Sequence, residues 1–375
     1  MNPFSPATIA PLAQQFGTPL WIYDADTITR QIAALRLFDV VRFAQKANSN
    51  THILRLMKRQ GVVVDSVSLG EIERALAGGF TPGLHNGHAD IVFTADLLDR
   101  ATLARVVELN IPVNCGSMDM LDQLGAVNPG HPVWLRINPG FGHGHSKKTN
   151  TGGEHSKHGI WHGDLVRACE KIKSNGLALQ GLHMHIGSGV DYAHLQEVCG
   201  AMLKLVEVVN AQGLDLHAIS AGGGLSVPYQ AGEPAIDTAH YFSLWDAARH
   251  AVEQLLEHPV KLEIEPGRYL MAESGVLVTE VRATKQQGAN HFVMVDAGFS
   301  DLVRPALYGA YHGMELIHSD GTAVNGLQFD TVVAGPLCES GDVFTQGEGG
   351  VVLHRSLPQA QVGDLLVLHD TGAYG

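Results

Sequence analysis

The sequence predicts an α/β protein: a (β/α)8 TIM barrel followed by a second, C-terminal β-rich domain. Three observations carry that prediction. Short β-branched runs alternate with amphipathic helix-period stretches from residue 41 to residue 268. Polar residues gather at the C-terminal end of nearly every run. After about residue 275 the long helical stretches stop and strand-like runs follow one another.

The runs are VRFAQKAN (41–48), VVVDSVS (62–68), DIVFTA (90–95), PVNCGS (112–117), PVWLRINP (132–139), LHMHIGSG (182–189), HAISAGGG (217–224) and KLEIEPGR (261–268). Between them lie helix candidates such as HILRLMKRQ (52–60), GEIERALAGG (70–79), LLDRATLARVVELN (97–110) and HLQEVCGAMLKLVEVVNAQG (194–213). Strands each followed by a helix pair in parallel through right-handed crossovers, and a closed barrel is the solution for eight of them. An open doubly wound sheet is the rival. Lys46, Asp65 to Ser68, Arg136 to Asn138, His185 to Ser188, the glycines at 222–224 and Glu265 to Arg268 weigh against it. In a barrel all those ends converge on one mouth, where such enzymes do their chemistry.

Residues 25–270 are therefore assigned to the barrel. Residues 1–24 and 271–375 are assigned to the β-rich domain, with strands expected in SGVLVTEVRATK, HFVMVDAG, FDTVVAG, VVLHRSL and DLLVLHD. The early strand candidate PLWIYD (19–24) is expected to pair with them. GFGHGHSKKTNTGGEHSKHG (140–159) has no period and reads as a long loop at the mouth after the fifth strand.

Composition narrows the function classes. Hydrophobic residues at 45% and charged residues at 17% describe an ordinary soluble core. With 25 Lys+Arg against 38 Asp+Glu, the formal net charge is −13 and no basic block interrupts it. That argues against nucleic acid or an anionic membrane as partner and favours a small-molecule substrate. The start MNPFSPATIAPLAQQF lacks the features of a secretory signal and no apolar run reaches membrane-spanning length, so a cytoplasmic location is expected. Cys115, Cys169, Cys199 and Cys338 show no CxxC spacing; they read as free thiols, and no metal site is expected.

Lys46 follows Phe43 and Ala44 at a strand end. Desolvation in an apolar wall favours the neutral amine, a nucleophile toward a carbonyl. The plainer alternative is a lysine snorkelling to solvent. Two glycine-rich turns, AGGGLS (221–226) and EPGRY (265–269), close the seventh and eighth strands, where barrels build phosphate sites from backbone N–H groups. Ser188 adds a hydroxyl; equally, the glycines need only make a tight turn. A reactive lysine and a phosphate cradle in one mouth point to a phosphorylated aldehyde, pyridoxal 5′-phosphate.

Such a ring needs a carboxylate near its pyridine nitrogen, and Glu265 stands at the right strand end. It needs a flat companion, for which His185 suits better than His183 because it sits nearer the mouth. The HMH triplet as half of a metal site lacks an acidic or cysteine partner at matching spacing. His143, His145, His155 and His158 read as loop and surface polar groups. Asp65 either orients Lys46 or the cofactor, or caps the helix that begins near Leu69.

From residue 18 onward the chain resembles the fold-type III pyridoxal phosphate-dependent decarboxylases, through FAQKANSN, VDSVSLGEIERAL, NPGFGHGHSKKTNTGGEHSKHGI, HMHIGSGV, SAGGGLSVPY, EIEPGR, DAGFSDLVRPALYGAYH, GPLCESGD and HDTGAYG in that order. KTNTGGEHSKHGI and CESGD resemble the members that act on meso-diaminopimelate rather than their arginine-, ornithine- or carboxynorspermidine-specific relatives. The resemblance implies that Lys46 holds the cofactor, His185 stacks on its ring and Glu265 pairs with its nitrogen. Ser188, Gly224, Gly267, Arg268 and Tyr374 match the phosphate contacts; Arg268, Arg304, Tyr308, Glu339 and Tyr374 match the substrate contacts. Cys338 matches the donor of the proton that replaces carbon dioxide, a role a thiol can fill by giving and recovering a proton. By its own surroundings Cys338 reads as a small buried apolar residue like Cys169 and Cys199.

The resemblance further implies a carboxy-lyase reaction giving L-lysine and carbon dioxide, the last step of bacterial lysine synthesis. It implies a homodimer in which Cys338 and Glu339 reach the neighbouring subunit's site. Members of this family usually continue beyond GAYG, so the β-rich domain is expected to lack its C-terminal end. Another basic amino-acid decarboxylase of this fold, and a pyridoxal phosphate-binding regulatory protein without turnover, stand as alternatives.

Overall fold

The computed structural model describes residues 3–142, 151–185, 187, 189 and 191–375. The chain forms two compact units: one of residues 29–226 and 236–267, the other of residues 1–28, 227–235 and 268–375. The excursion 227–235, which the sequence reading leaves within the barrel, belongs to the second unit.

The strands in chain order are β1 (Leu20–Tyr23), β2 (Val40–Ala44), β3 (Val63–Ser66), β4 (Ile91–Ala95), β5 (Val113–Cys115), β6 (Pro132–Asn138), β7 (Ile160–Trp161), β8 (Ala178–His183), β9 (Ala218–Ser220) and β10 (Lys261–Ile264). They continue with β11 (Gly275–Gln287), β12 (Asn290–Val295), β13 (Met314–Ile317), β14 (Gln328–Ala334), β15 (Arg355–Pro358) and β16 (Leu365–Leu368).

Eight parallel strands, β2, β3, β4, β5, β6, β8, β9 and β10, close into a barrel. Closure is completed by β10 against β2, with Glu263 opposite Val40, and by β5 against β6, with Val113 opposite Val133. Phe43, Val64, Leu135, Leu182, Ile219 and Leu262 are fully buried, as the apolar runs require of strands covered on both faces. The sixth barrel strand begins at Ala178 and ends at His183, earlier than the run LHMHIGSG suggests, so His185 lies beyond the strand.

Helix starts follow local chemistry. Asn50, Ser68, Asp99, Ser117 and Asp237 each accept a backbone N–H at a helix N-terminus. Ser68, not Asp65, therefore caps the helix Leu69–Gly78, because its Oγ reaches the Glu71 N–H at 3.2 Å. Near the N-terminal end of the barrel, Arg42 is buried against Glu263 at 3.0 Å and also donates to the Ala89 carbonyl. That pairing explains how an arginine occupies a core strand.

In the second unit the strand order is β13-β16-β11-β12-β14-β15, with β1 antiparallel to β11. The long β11 joins β1 and β16 through its first half and β12 through its second. Strand β13 was not expected. Of the run VVLHRSL only Arg355 to Leu357 enter β15, and Val351, Val352 and Leu353 are exposed. Among the described residues no helix is long and apolar enough to cross a membrane.

Candidate active site

Strand β2 stops at Ala44, and Gln45–Ala47 form one turn of 3-10 helix. Buried Gln45 donates to Ser66 Oγ at 2.6 Å and pins that turn to β3. Lys46, at the turn's crest, is exposed. The expected apolar wall is therefore absent: Phe43 and Ala44 are buried in the strand, while the turn that follows leaves Lys46 exposed. Its charge still acts on Asp65, Glu71 and His185, so the ammonium belongs to the same cluster.

Glu265, one residue past β10, is the anionic centre of that cluster. His183 Nε2 meets its Oε2 at 2.7 Å and Ser220 Oγ donates to its Oε1 at 3.3 Å. Burial opposes ionisation, but His183, Arg42 and His185 outweigh it and hold the carboxyl well below the usual carboxylate range. Asp65 behaves oppositely. Burial, and next the charge of Glu265, push it up, and its Oδ1 has no hydrogen-bond partner among the described residues. Arg136 is buried on β6 within reach of the charges of Asp65, Asp96 and Glu265.

His185 accepts the Gly223 N–H on Nδ1 at 3.2 Å, which leaves the ring proton on Nε2. Burial, with Arg136 and Lys46 adding their charges, keeps the ring neutral by driving its pKa well down. The chain around it is tied by Thr151, whose hydroxyl donates to the His185 carbonyl at 2.9 Å. Asn138 clasps both sides of the Gly- and His-rich loop, accepting from Gly140 and Gly153 and donating to the Gly153 carbonyl. His143, His145 and Ser188 lie outside the described residues. His158 lies with Nδ1 against Asp96 Oδ2 and is half-buried, where the sequence reading placed it on the surface.

Gly222 and Gly224 have φ of 61° and 109°. A Cβ would stand 2.3 Å from the Met184 carbonyl at Gly222, 2.5 Å from the Glu265 carbonyl at Gly223 and 2.3 Å from the Gly187 carbonyl at Gly224. Glycine alone passes between the ends of β8 and β10, and it leaves a backbone that an anion can approach without meeting a side chain. An amine, an ionised buried carboxylate, a neutral flat imidazole and this glycine tract are the donor set that pyridoxal phosphate requires. The residues fit the group.

The second unit holds a different cluster. Arg268 donates to Tyr229 Oη at 2.7 Å, and its guanidinium lies 5.3 Å from the Tyr374 ring. Arg304, buried, lies 4.8 Å from the Tyr229 ring and donates to His312 Nε2 at 2.9 Å. His312 Nδ1 faces the His369 carbonyl, which only accepts, so the Nδ1 proton and the Nε2 lone pair are both assigned. Two guanidiniums around one aromatic ring, with no carboxylate in hydrogen-bonding contact among the described residues, form a ready anion site. Tyr229 and His312 escaped the sequence reading; YQ in an apparent loop and the histidine of GAYH carry no spacing signal.

Tyr308 ends the short helix Arg304–Tyr308 and is exposed. Cys338 is exposed too, unlike Cys115, Cys169 and Cys199, so its reading as a buried apolar residue is overturned. Its turn is held by buried Asp342, whose carboxylate accepts the Phe299 N–H at 2.7 Å and the Leu337 N–H at 2.8 Å. Glu339, next to it, is exposed and accepts the Ser340 hydroxyl at 3.3 Å.

Residues 25–272 match the family model described as pyridoxal-dependent decarboxylase, pyridoxal binding domain. Diaminopimelate decarboxylase of Escherichia coli K12 is 67% identical over 365 residues, 97% of this chain and 86% of that protein. The enzyme of Streptomyces coelicolor is 63% identical over 367 residues, 98% of this chain and 82% of the relative. A crystal structure of a diaminopimelate decarboxylase superposes with a TM-score of 0.93 at 66% identity, covering 98% of this chain and 86% of that one. The Helicobacter pylori enzyme complexed with L-lysine superposes at 0.84 and 30% identity, covering 97% of this chain and 89% of that one.

Proposed function

This chain belongs to the pyridoxal-dependent decarboxylases, and we propose that it decarboxylates meso-diaminopimelate to L-lysine and carbon dioxide. The observation that carries this reading is 67% identity across 97% of the chain to an enzyme of that name. Pyridoxal phosphate, when bound, supplies the electron sink that accepts the electron pair of the broken carbon–carbon bond.

Lys46 would hold the cofactor through its aldehyde group. Glu265, kept ionised by His183 and Ser220, would pair with the ring nitrogen and keep it protonated. Neutral His185 would stack on the ring and add no competing charge. By the family resemblance, Gly224, Gly267, Ser188, Arg268 and Tyr374 are the residues that would hold the phosphate. Asp65, whose pKa burial and the charge of Glu265 raise, would orient Lys46 or the cofactor.

The substrate has carboxylates and ammonium groups at both ends, so selection requires cations for the distal carboxylate and an acid for the distal ammonium. Arg268 and Arg304, steadied by Tyr229 and His312, supply the first, with Tyr308 and Tyr374 beside them. Glu339 supplies the second. A monocarboxylic substrate leaves the arginines uncompensated, which sets lysine and ornithine apart. Cys338 delivers the proton to the substrate carbon that loses carbon dioxide, and its exposure suits reaction in a partner's site within a homodimer.

The test is carbon dioxide release. Meso-diaminopimelate should turn over, while lysine, ornithine and arginine should not; release from any of those three at comparable kcat/KM overturns the substrate assignment. A protein that binds the cofactor and releases nothing from any of them is the regulatory alternative.

A further inference from the structure

A second cluster of metal-ligating side chains lies at the opposite end of the barrel from Lys46, His185 and Glu265. Asp215 and His217 occupy the segment entering β9, and His258 the segment entering β10. Each offers one ligand atom, and the three atoms lie within 4.8 Å of one another. The two imidazole rings have centroids 5.7 Å apart.

The orientation of His258 is the informative part. Its Nδ1 is 2.9 Å from the Pro259 carbonyl, which accepts but cannot donate. The Nδ1 proton is therefore committed, and Nε2 is the nitrogen aimed at Asp215 Oδ1, at 2.8 Å. A histidine whose Nδ1–H is tied to a carbonyl has the arrangement that metal-bound histidines use to fix tautomer and ring angle, and the Nε2–H now donated to Asp215 is the proton an ion displaces. The backbone of His217 is anchored in the ladder: its main-chain N–H donates to the Gln180 carbonyl and its carbonyl accepts from the Lys261 main-chain N–H, both at 3.0 Å. The frame is thus set by the β8–β9–β10 ladder before any ligand arrives, which lowers the ordering cost of binding.

We propose that Asp215, His217 and His258 form a divalent transition-metal site at the N-terminal end of the barrel, independent of the decarboxylation chemistry. Two imidazole nitrogens and one carboxylate oxygen select zinc, nickel or copper over magnesium and calcium, which take oxygen ligands. The ion takes the position between His258 Nε2 and Asp215, and any proton there goes to solvent. Because the three ligands sit on two separate segments, the ion staples the entry to β9 to the entry to β10.

The test uses untagged holoenzyme titrated with zinc by calorimetry, and with cobalt(II) as a visible probe. The expected result is one ion per chain and a ligand-field band without the charge-transfer absorption of a thiolate ligand. His217→Ala and His258→Ala should each weaken zinc binding at least about tenfold. In the parent, zinc should raise the melting temperature, and the double variant should lose that rise; the decarboxylase rate should not follow occupancy. The proposal is overturned if binding is unchanged in the double variant, if the cobalt spectrum shows thiolate ligation, or if no ion binds. All three residues are at least partly exposed, and Asp215→Asn, which keeps the acceptor for the Leu216 N–H, serves as a variant that leaves the loop intact.

Discussion

His183 Nε2 and Glu265 Oε2 stand 2.7 Å apart, both buried, across 82 residues of sequence. Breaking a buried charge-assisted pair strands the remaining charge, at a cost of about 3 kcal/mol. His183→Ala is expected to lower the urea-derived stability by about that much, while His183→Gln, which keeps a donor, loses less. An unchanged unfolding midpoint in His183→Ala refutes the anchoring role.

Lys46 is exposed, so its removal separates chemistry from stability. In Lys46→Ala the cofactor's absorbance band near the visible edge, and its loss on borohydride treatment, should vanish together with activity. The cofactor-free variant should unfold within about 0.5 kcal/mol of the parent. A borohydride-sensitive band that persists puts the covalent bond on another residue.

His312 sits between Arg304 and the His369 carbonyl, and burial, then the charge of Arg304, push its pKa down from 6.5 to about 3. As pH falls through 6.5 the unfolded chain takes up a proton that the folded chain refuses. Folding stability is therefore complete above pH 6.5 and lost progressively between 6.5 and about 3. The slope attributable to this group approaches about 1.4 kcal/mol per pH unit. His312→Gln, measured by chemical denaturation across that window, should remove this component; an identical pH slope in the variant contradicts the assignment. In kinetics the same substitution should raise KM for meso-diaminopimelate more than it lowers kcat, because His312 acts by orienting Arg304.

Cys338 stands on a turn that Asp342 holds through the Phe299 and Leu337 N–H groups. Cys338→Ala should keep the cofactor band and slow turnover by about a hundredfold, within the range of a lost general acid. Asp342→Ala should lower kcat with the thiol still present and change the rate of Cys338 alkylation. Normal turnover in Cys338→Ala removes it from the proton-donor role.

The barrel was legible because its signals are local. Each β-branched run followed by a 3.6-period stretch reports its own element, and the helix caps at Asn50, Ser68 and Asp99 are side-chain bonds to N–H groups two or three residues on. The Asp65 alternative failed within the same local range: Ser68 is nearer the helix start, and Asp65 turns into the barrel instead. The exposure of Lys46 was not legible, because Phe43 and Ala44 are its neighbours in sequence but a 3-10 turn separates it from their side of the wall.

What the sequence determined by itself was the order of elements and the kinds of chemical group brought to the strand ends: an amine, two carboxylates, imidazoles and a glycine tract. What only the tertiary structure decided was their state. Glu265 is ionised because His183 arrives from 82 residues away, His185 is neutral because Gly223 reaches it across 38, and Arg304 is aimed because His312 takes its proton position from His369. Periodicity is written between chain neighbours; charge and tautomer depend on burial and on partners that become neighbours only when the sheet closes.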